Sequence, residues 1–161
     1  MAQTGILLYP HQSIMSIHID TEDVLELSTN NHSVSHSEDL TETHIFFKLK
    51  QQRISHYKNF ALGLININSI RNKFSELCEL LTEKLLDCLV VQETKLDDSF
   101  PDAQFTIPNF TLYRNDRNAH GGGILVYIRS DIPTRRLENL ESKQGVESIA
   151  IKLYIRDTKW V

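Results

Sequence analysis

The sequence predicts an α/β fold organised around a mixed β-sheet, on the strength of three observations. Two short apolar runs flank an amphipathic stretch between residues 60 and 93, the pattern of a strand–helix–strand unit with parallel strands. Beyond residue 109, apolar segments bracket a polar turn and a glycine triplet, which is how antiparallel strands read. Residues 1–57 carry no comparable pattern and are expected to form a mostly disordered leader, leaving 58–161 as the domain.

Within the leader, residues 13–19 and Ile45-Phe46-Phe47 are candidates for a short strand or helix without a sustained period. Residues 28–43 are polar and hold too little apolar surface to offset the entropy of ordering them. Phe60-Ala61-Leu62-Gly63-Leu64-Ile65-Asn66-Ile67 is a nearly continuous apolar run, as expected of a strand buried on both faces. Ile70, Phe74, Leu77, Leu81 and Leu85 then recur at three- and four-residue steps, with Arg71, Lys73, Glu76, Glu79 and Glu83 between them. This is an amphipathic helix, and Asn68 or Ser69 is placed to cap it.

Cys88-Leu89-Val90-Val91 supplies the second strand, ending in Gln92-Glu93, and the unit implies a right-handed crossover. After Pro101 and Pro108, residues 110–113 and 124–129 flank the turn Arg114-Asn115-Asp116-Arg117-Asn118 and form a hairpin. Gly121, Gly122 and Gly123 supply its special backbone angles. A short strand is expected within 135–140. Ile149, Ile151, Leu153 and Ile155 alternate with Ser148, Ala150, Lys152 and Tyr154, a half-buried strand with one wetter face. No repeat period is visible.

An apolar share of 40% in 161 residues suffices for one core. A net charge of −4 excludes a chain that coats nucleic acid by bulk basicity, but not one that meets phosphate through a local patch. Cys78 and Cys88 form neither a Cys-x-x-Cys pair nor a disulfide framework, so a reducing compartment and two buried thiols are expected. The first ten residues lack a basic segment and a sufficient apolar run for a signal peptide, and nothing approaches the roughly 18 apolar residues of a membrane helix. An intracellular protein is expected, nuclear or cytoplasmic, with no secretion and no membrane partner.

Ligands of open α/β sheets gather beyond the carboxyl ends of parallel strands, where both Asn66 and Glu93 fall. The run Asn66-Ile67-Asn68-Ser69-Ile70-Arg71-Asn72-Lys73, then Gln92-Glu93-Thr94-Lys95-Leu96-Asp97, then Gly121-Gly122-Gly123-Ile124, resembles the endonuclease domains of non-LTR retrotransposons. These are relatives of apurinic endonucleases within the endonuclease/exonuclease/phosphatase family. The resemblance runs from about Phe60 to the end and implies a DNase I-like fold, a four-layer α/β sandwich of mixed sheets flanked by helices.

By this resemblance Glu93 ligates a catalytic Mg²⁺, or Mn²⁺ in its place, and Asn66 orients metal-ligating and phosphate-contacting groups. Asn68 and Lys95 are candidate substrate contacts. A hard cation held by one carboxylate, waters and phosphate oxygens suits these residues. The implied substrate is DNA, nicked by hydrolysis of a phosphodiester, with a downstream reverse transcriptase as a partner in the complete element.

Other constellations have plainer readings. Gly121, Gly122 and Gly123 lead into a strand without a following Lys, so they form a hairpin, not a phosphate cradle. Arg114, Arg117 and Arg129 read as scattered surface charge instead of a DNA-facing rim. His32 and His36 stand four apart but lie in the leader, where no stable helix would present them to a metal.

The family completes its site with a later Tyr, a water-activating Asp-x-Asn pair and a final Asp-His pair, and motif by motif none has a match here. The expectation is therefore an N-terminal half-domain that is inactive alone, with a sheet face and edge strands exposed. A non-catalytic remnant or interaction fragment is the alternative, and a phosphatase or exonuclease is the alternative within the family.

Overall fold

The computed structural model describes residues 4–9, 15–20, 42–141 and 147–155. In chain order the elements are β1 (Thr4–Tyr9), β2 (Met15–Asp20), α1 (Glu42–Ser55), β3 (Phe60–Asn66), α2 (Phe74–Thr82), β4 (Cys88–Gln92), β5 (Phe110–Asn115), β6 (Ile124–Arg129), β7 (Thr134–Arg136) and β8 (Ser148–Leu153). The architecture is α/β, with two sheets. The larger has the order β1-β3-β4-β6-β5 and is mixed, β3 and β4 being parallel and the other pairs antiparallel. The smaller, β2-β8-β7, is antiparallel.

Alternation along the central strands assigns their faces. Phe60, Leu62, Cys88, Val90, Ile124, Val126 and Ile128 point one way and form a core with Ile149, Ile151 and Leu153 of β8. Ala61, Leu89, Val91, Leu125 and Tyr127 point the other way and meet Leu77 and Leu81 of α2 together with Ile70, Leu85 and Phe105. Helix, mixed sheet and small sheet thus stack in three layers. The parallel β3–β4 pair is buried on both faces, as its unbroken apolar runs require. Gly63 makes room for Leu86, since a Cβ there would stand 2.8 Å from Leu86 Cδ1 and the leucine would have to shift.

Several expectations need correction. Residues 1–57 carry more regular structure than a mostly disordered leader: the candidate stretches 13–19 and 45–47 overlap β2, which pairs with β8, and α1, which packs Leu49 into the core, while β1, not anticipated, pairs with the edge of β3. Edge strands are held by backbone hydrogen bonds, which leave little periodic trace in side chains. The larger sheet accordingly has both faces covered and β1 along its β3 edge. Most of the polar stretch 28–43, with His32 and His36, lies outside the described residues.

Helix α2 begins at Phe74, not Ile70, and neither Asn68 nor Ser69 caps it; Lys73 occupies the cap position without a side-chain cap bond. Ser69 has φ 85°, outside the helical region, and the Ile70 N–H is committed to Thr94 O at 3.1 Å. Strand β7 is confined to Thr134–Arg136. Strand β8 has no wet face along most of its length, because Ser148 and Ala150 are buried as well as Ile149 and Ile151. It is the central strand of its sheet, and its small residues are met from two segments: Ala150 O accepts Leu137 N and Ala150 N donates to Glu141 Oε1, while Ser148 O accepts Asn115 Nδ2 at 2.9 Å.

One ion cluster ties the N-terminal helix to the sheet. Asp87, with a side chain 6% exposed, receives both terminal nitrogens of Arg53 from the last turn of α1 at 3.0 Å. It also receives Arg129 Nη1 at 2.6 Å and the Ala61 N–H at 2.8 Å. Sequence spacing gave no hint of this, as the partners come from three separate segments.

The cysteines divide: both are free thiols, Cys88 buried and Cys78 only half-buried. Burial, reinforced by the Asp87 carboxylate, pushes the Cys88 thiol up. The raised folded value means its contribution to stability is complete below the unfolded thiol range of about 8.5 and is lost as pH climbs above it. Thiol labelling of the native protein is expected to modify Cys78 first and Cys88 only on unfolding; equal rates at both would contradict this packing.

Candidate functional site

The parallel pairing of β3 and β4 ends on the register pair Asn66 and Gln92, and the chain beyond each strand stays zipped to the other. Ile67 N donates to Gln92 O at 3.0 Å, Ser69 N to Glu93 O at 2.7 Å and Ile70 N to Thr94 O at 3.1 Å. On the opposite side Thr94 N donates to Gly123 O at 3.3 Å and Lys95 N to Gly122 O at 2.9 Å. Residues 93–95 therefore run between the segment after β3 and the glycine triplet before β6, and the four residues singled out from sequence fall in one cluster.

Each side chain has a defined setting. Asn66 Oδ1 accepts the Asn68 N–H at 3.2 Å, a local turn bond of the kind asparagine makes, while its amide NH₂ has no partner among the described residues. Lys95 Nζ donates to Asn68 Oδ1 at 2.6 Å across the two loops. Lys73 Nζ, not anticipated from sequence, closes the same loop by donating to Ile67 O at 2.5 Å. Glu93 is half-buried; its Oε2 accepts the Gly122 N–H at 2.9 Å, and its Oε1 has no hydrogen-bond partner among the described residues.

Backbone strain is concentrated here. Asn68 (φ 47°), Ser69 (φ 85°), Glu93 (φ 56°) and Lys95 (φ 55°) are all left-handed without being glycine. Such a conformation costs a non-glycine residue about 1–2 kcal/mol, and it persists where the surroundings over-determine it. Here the ladders on both sides of 93–95 do so. The glycines are placed where no side chain fits: Gly122 and Gly123 have φ 74° and 87°, and a Cβ on either would stand 2.3 Å from Glu147 Oε1 or Thr94 Oγ1 respectively.

No protein family, curated protein or solved structure matches the chain. Among the described residues no helix is long and apolar enough to cross a membrane.

The three arginines first read as surface charge are each engaged. Arg114, with a side chain 13% exposed, braces the loop after β4: it pairs with Asp102 and Asp116 and donates to the carbonyls of Phe100 and Asp97. Arg129 serves Asp87 and Asp131, and Arg117 serves Glu147. A cleft of about 460 Å³ beside Arg114 is lined by Asp98, Phe100, Pro101, Asp102, Asn115 and Asp116, and by none of the four site residues. Its guanidinium donors are already used, so the cleft offers an anion no open cation.

Contrary to the expectation that no Asp-x-Asn stands in the chain, Asp116-Arg117-Asn118 has that spelling, but it occupies the hairpin turn. Asp116 is paired to Arg114, and Asn118 Oδ1 accepts the amides of His120 and Gly121. Sequence reasoning missed Glu147 and Thr94, both buried against the glycine triplet. No local motif marks Glu147, since only the fold brings it to Gly123.

Proposed function

We propose that the strand-end cluster is the metal-side half of a phosphodiester-cleaving site, in an endonuclease domain similar to those of non-LTR retrotransposons and acting on DNA with Mg²⁺ or Mn²⁺. The observation that carries this reading is the setting of Glu93. Its carboxylate stands one residue beyond the Asn66–Gln92 pair, fixed through one oxygen by the Gly122 N–H and unengaged at the other. One unengaged carboxylate oxygen at a strand end suits a hard divalent ion that takes its remaining ligands from water and phosphate oxygens, and which when bound supplies charge neutralisation at a phosphodiester.

In this reading Glu93 Oε1 faces the ion, the Asn66 amide donates to a phosphate oxygen, and Lys95, held by Asn68, adds positive charge beside the substrate backbone. Two packed sheets with α2 on the outer face of one are compatible with three of the four layers of a DNase I-like sandwich. One observation favours the non-catalytic alternative: among the described residues no three His, Cys, Asp or Glu side chains converge as a metal set. Among the described residues Asp116 and Asn118 are engaged within the hairpin turn and do not stand as a water-activating pair, and each missing catalytic group commonly costs orders of magnitude in rate. The chain alone is therefore expected to bind the ion without nicking DNA.

Titration with Mn²⁺, read by paramagnetic broadening of backbone amides, tests the site. Broadening centred on Asn66, Glu93 and Gly122 is expected, and Glu93→Gln should abolish it. Broadening that survives this substitution removes Glu93 as a ligand. In parallel, supercoiled plasmid incubated with the protein and Mg²⁺ should remain uncut; nicking that disappears in Glu93→Ala would keep the nuclease and overturn its inactivity.

A further inference from the structure

We infer that Glu147 is a positioning residue for Glu93, holding the glycine triplet in the conformation that aims the Gly122 N–H at the Glu93 carboxylate. Glu147 immediately precedes β8, and its side chain is 8% exposed. Its Oε2 accepts the Gly123 N–H at 2.9 Å, and its Oε1 lies 3.0 Å from Arg117 Nε. The Nε hydrogen is directed at Gly121 O, 3.1 Å away, so Oε1 is buried against the guanidinium without accepting a hydrogen bond.

Two adjacent amides are thereby given to two acids: Gly122 N–H to Glu93 and Gly123 N–H to Glu147. The carbonyls of the same two glycines accept Lys95 N–H and Thr94 N–H. Every backbone polar group of Gly122 and Gly123 is thus committed, and the carboxylate of Glu147 lies over the Gly122 α-carbon, where a Cβ would meet Oε1 at 2.3 Å.

Charge divides unevenly across this pair. Arg117 neutralises Glu147, while no Lys, Arg or His pairs with Glu93 among the described residues. The arrangement keeps Glu147 as the structural acid and leaves Glu93 available to a cation. Outer-shell partners of this kind typically change metal affinity by about 10–100-fold when removed.

The consequence for metal rests on the reading of Glu93 above; the geometry does not. Both are measured on the 161-residue protein, by amide NMR and Mn²⁺ titration. In Glu147→Ala the Gly122 amide proton should move upfield as its bond to Glu93 lengthens, and the Mn²⁺ dissociation constant should rise about 10–100-fold. Glu147→Gln should restore most of the Gly122 shift, because its amide oxygen still accepts from Gly123.

A folded Glu147→Ala with an unmoved Gly122 amide overturns the proposal, as does a glutamine variant no better than alanine. If Glu147→Ala fails to fold, Glu147→Asp decides: its shorter side chain should lengthen the bond to the Gly123 N–H and move the Gly122 amide proton upfield by a smaller amount, and an unmoved proton overturns the proposal. Mn²⁺ binding indifferent to Glu93→Gln would instead sink the metal reading, while the Gly122 response still decides the positioning role.

Discussion

Replacing Asp87 with alanine is expected to cost about 3–5 kcal/mol of folding stability, the usual consequence of removing one partner from a buried ion cluster. Two guanidiniums, Arg53 and Arg129, converge on this carboxylate, and the Ala61 N–H donates to it as well. Truncation leaves the buried Ala61 amide without an acceptor and reduces the two half-buried cations to their remaining partners, Asn59 O for Arg53 and Asp131 for Arg129; the amide alone forfeits about 1–3 kcal/mol. Urea denaturation followed by circular dichroism measures the loss. Lys50→Ala is the control, since its bond to Glu83 joins two side chains about half exposed, and pairs of that kind contribute about 0–1 kcal/mol. Equal small losses in both variants would show that Asp87 does not anchor α1 to the sheet. Arg53→Ala should also loosen α1 specifically, visible as faster amide exchange across Glu42–Ser55.

The second large effect is expected at Gly123, where alanine should cost about 2–5 kcal/mol, combining left-handed strain with overpacking. The residue has φ 87°, and a Cβ would stand 2.3 Å from Thr94 Oγ1. Thr94 is 0% exposed, and its backbone N–H is tied to Gly123 O, so it has little room to withdraw. Gly121 provides the contrast: its φ is not positive and its nearest obstacle is Arg117 Nη2 at 2.9 Å, the tip of a side chain 51% exposed that can move aside. Gly121→Ala should therefore stay within about 0.5 kcal/mol of the parent. Thermal unfolding of both variants checks the order, and a Gly123→Ala protein as stable as Gly121→Ala would mean the triplet is not packed as described. Because Gly123 adjoins the amide that holds Glu93, its variant should also weaken Mn²⁺ binding.

The β3–α2–β4 unit was legible because its signal is local. An apolar run, a helical period and a second apolar run are properties of neighbouring residues, and burial on both faces follows from them. The placement of Asn66 and Glu93 at adjacent strand ends followed from the same unit, since parallel pairing leaves little choice of where the ends lie. The start of α2 was misjudged by about one turn because hydrophobic period says nothing about which N–H groups are already taken. Ile70 satisfies the period, yet its amide is spent on Thr94 O.

Composition, pattern and spacing by themselves determined an α/β domain with a mixed sheet and the meeting of Asn66 and Glu93 at the ends of its parallel strands. Tertiary structure alone decided that residues 4–9, 15–20 and 42–55 belong to that architecture, that Asp87 is its ionic anchor and that Glu147 reaches the glycine triplet. The physical reason is the range of the interactions: periodic burial is written into consecutive residues. Edge-strand hydrogen bonds, buried ion pairs and amide–carboxylate contacts join residues far apart in sequence, and their energy exists only once the chain has brought them together.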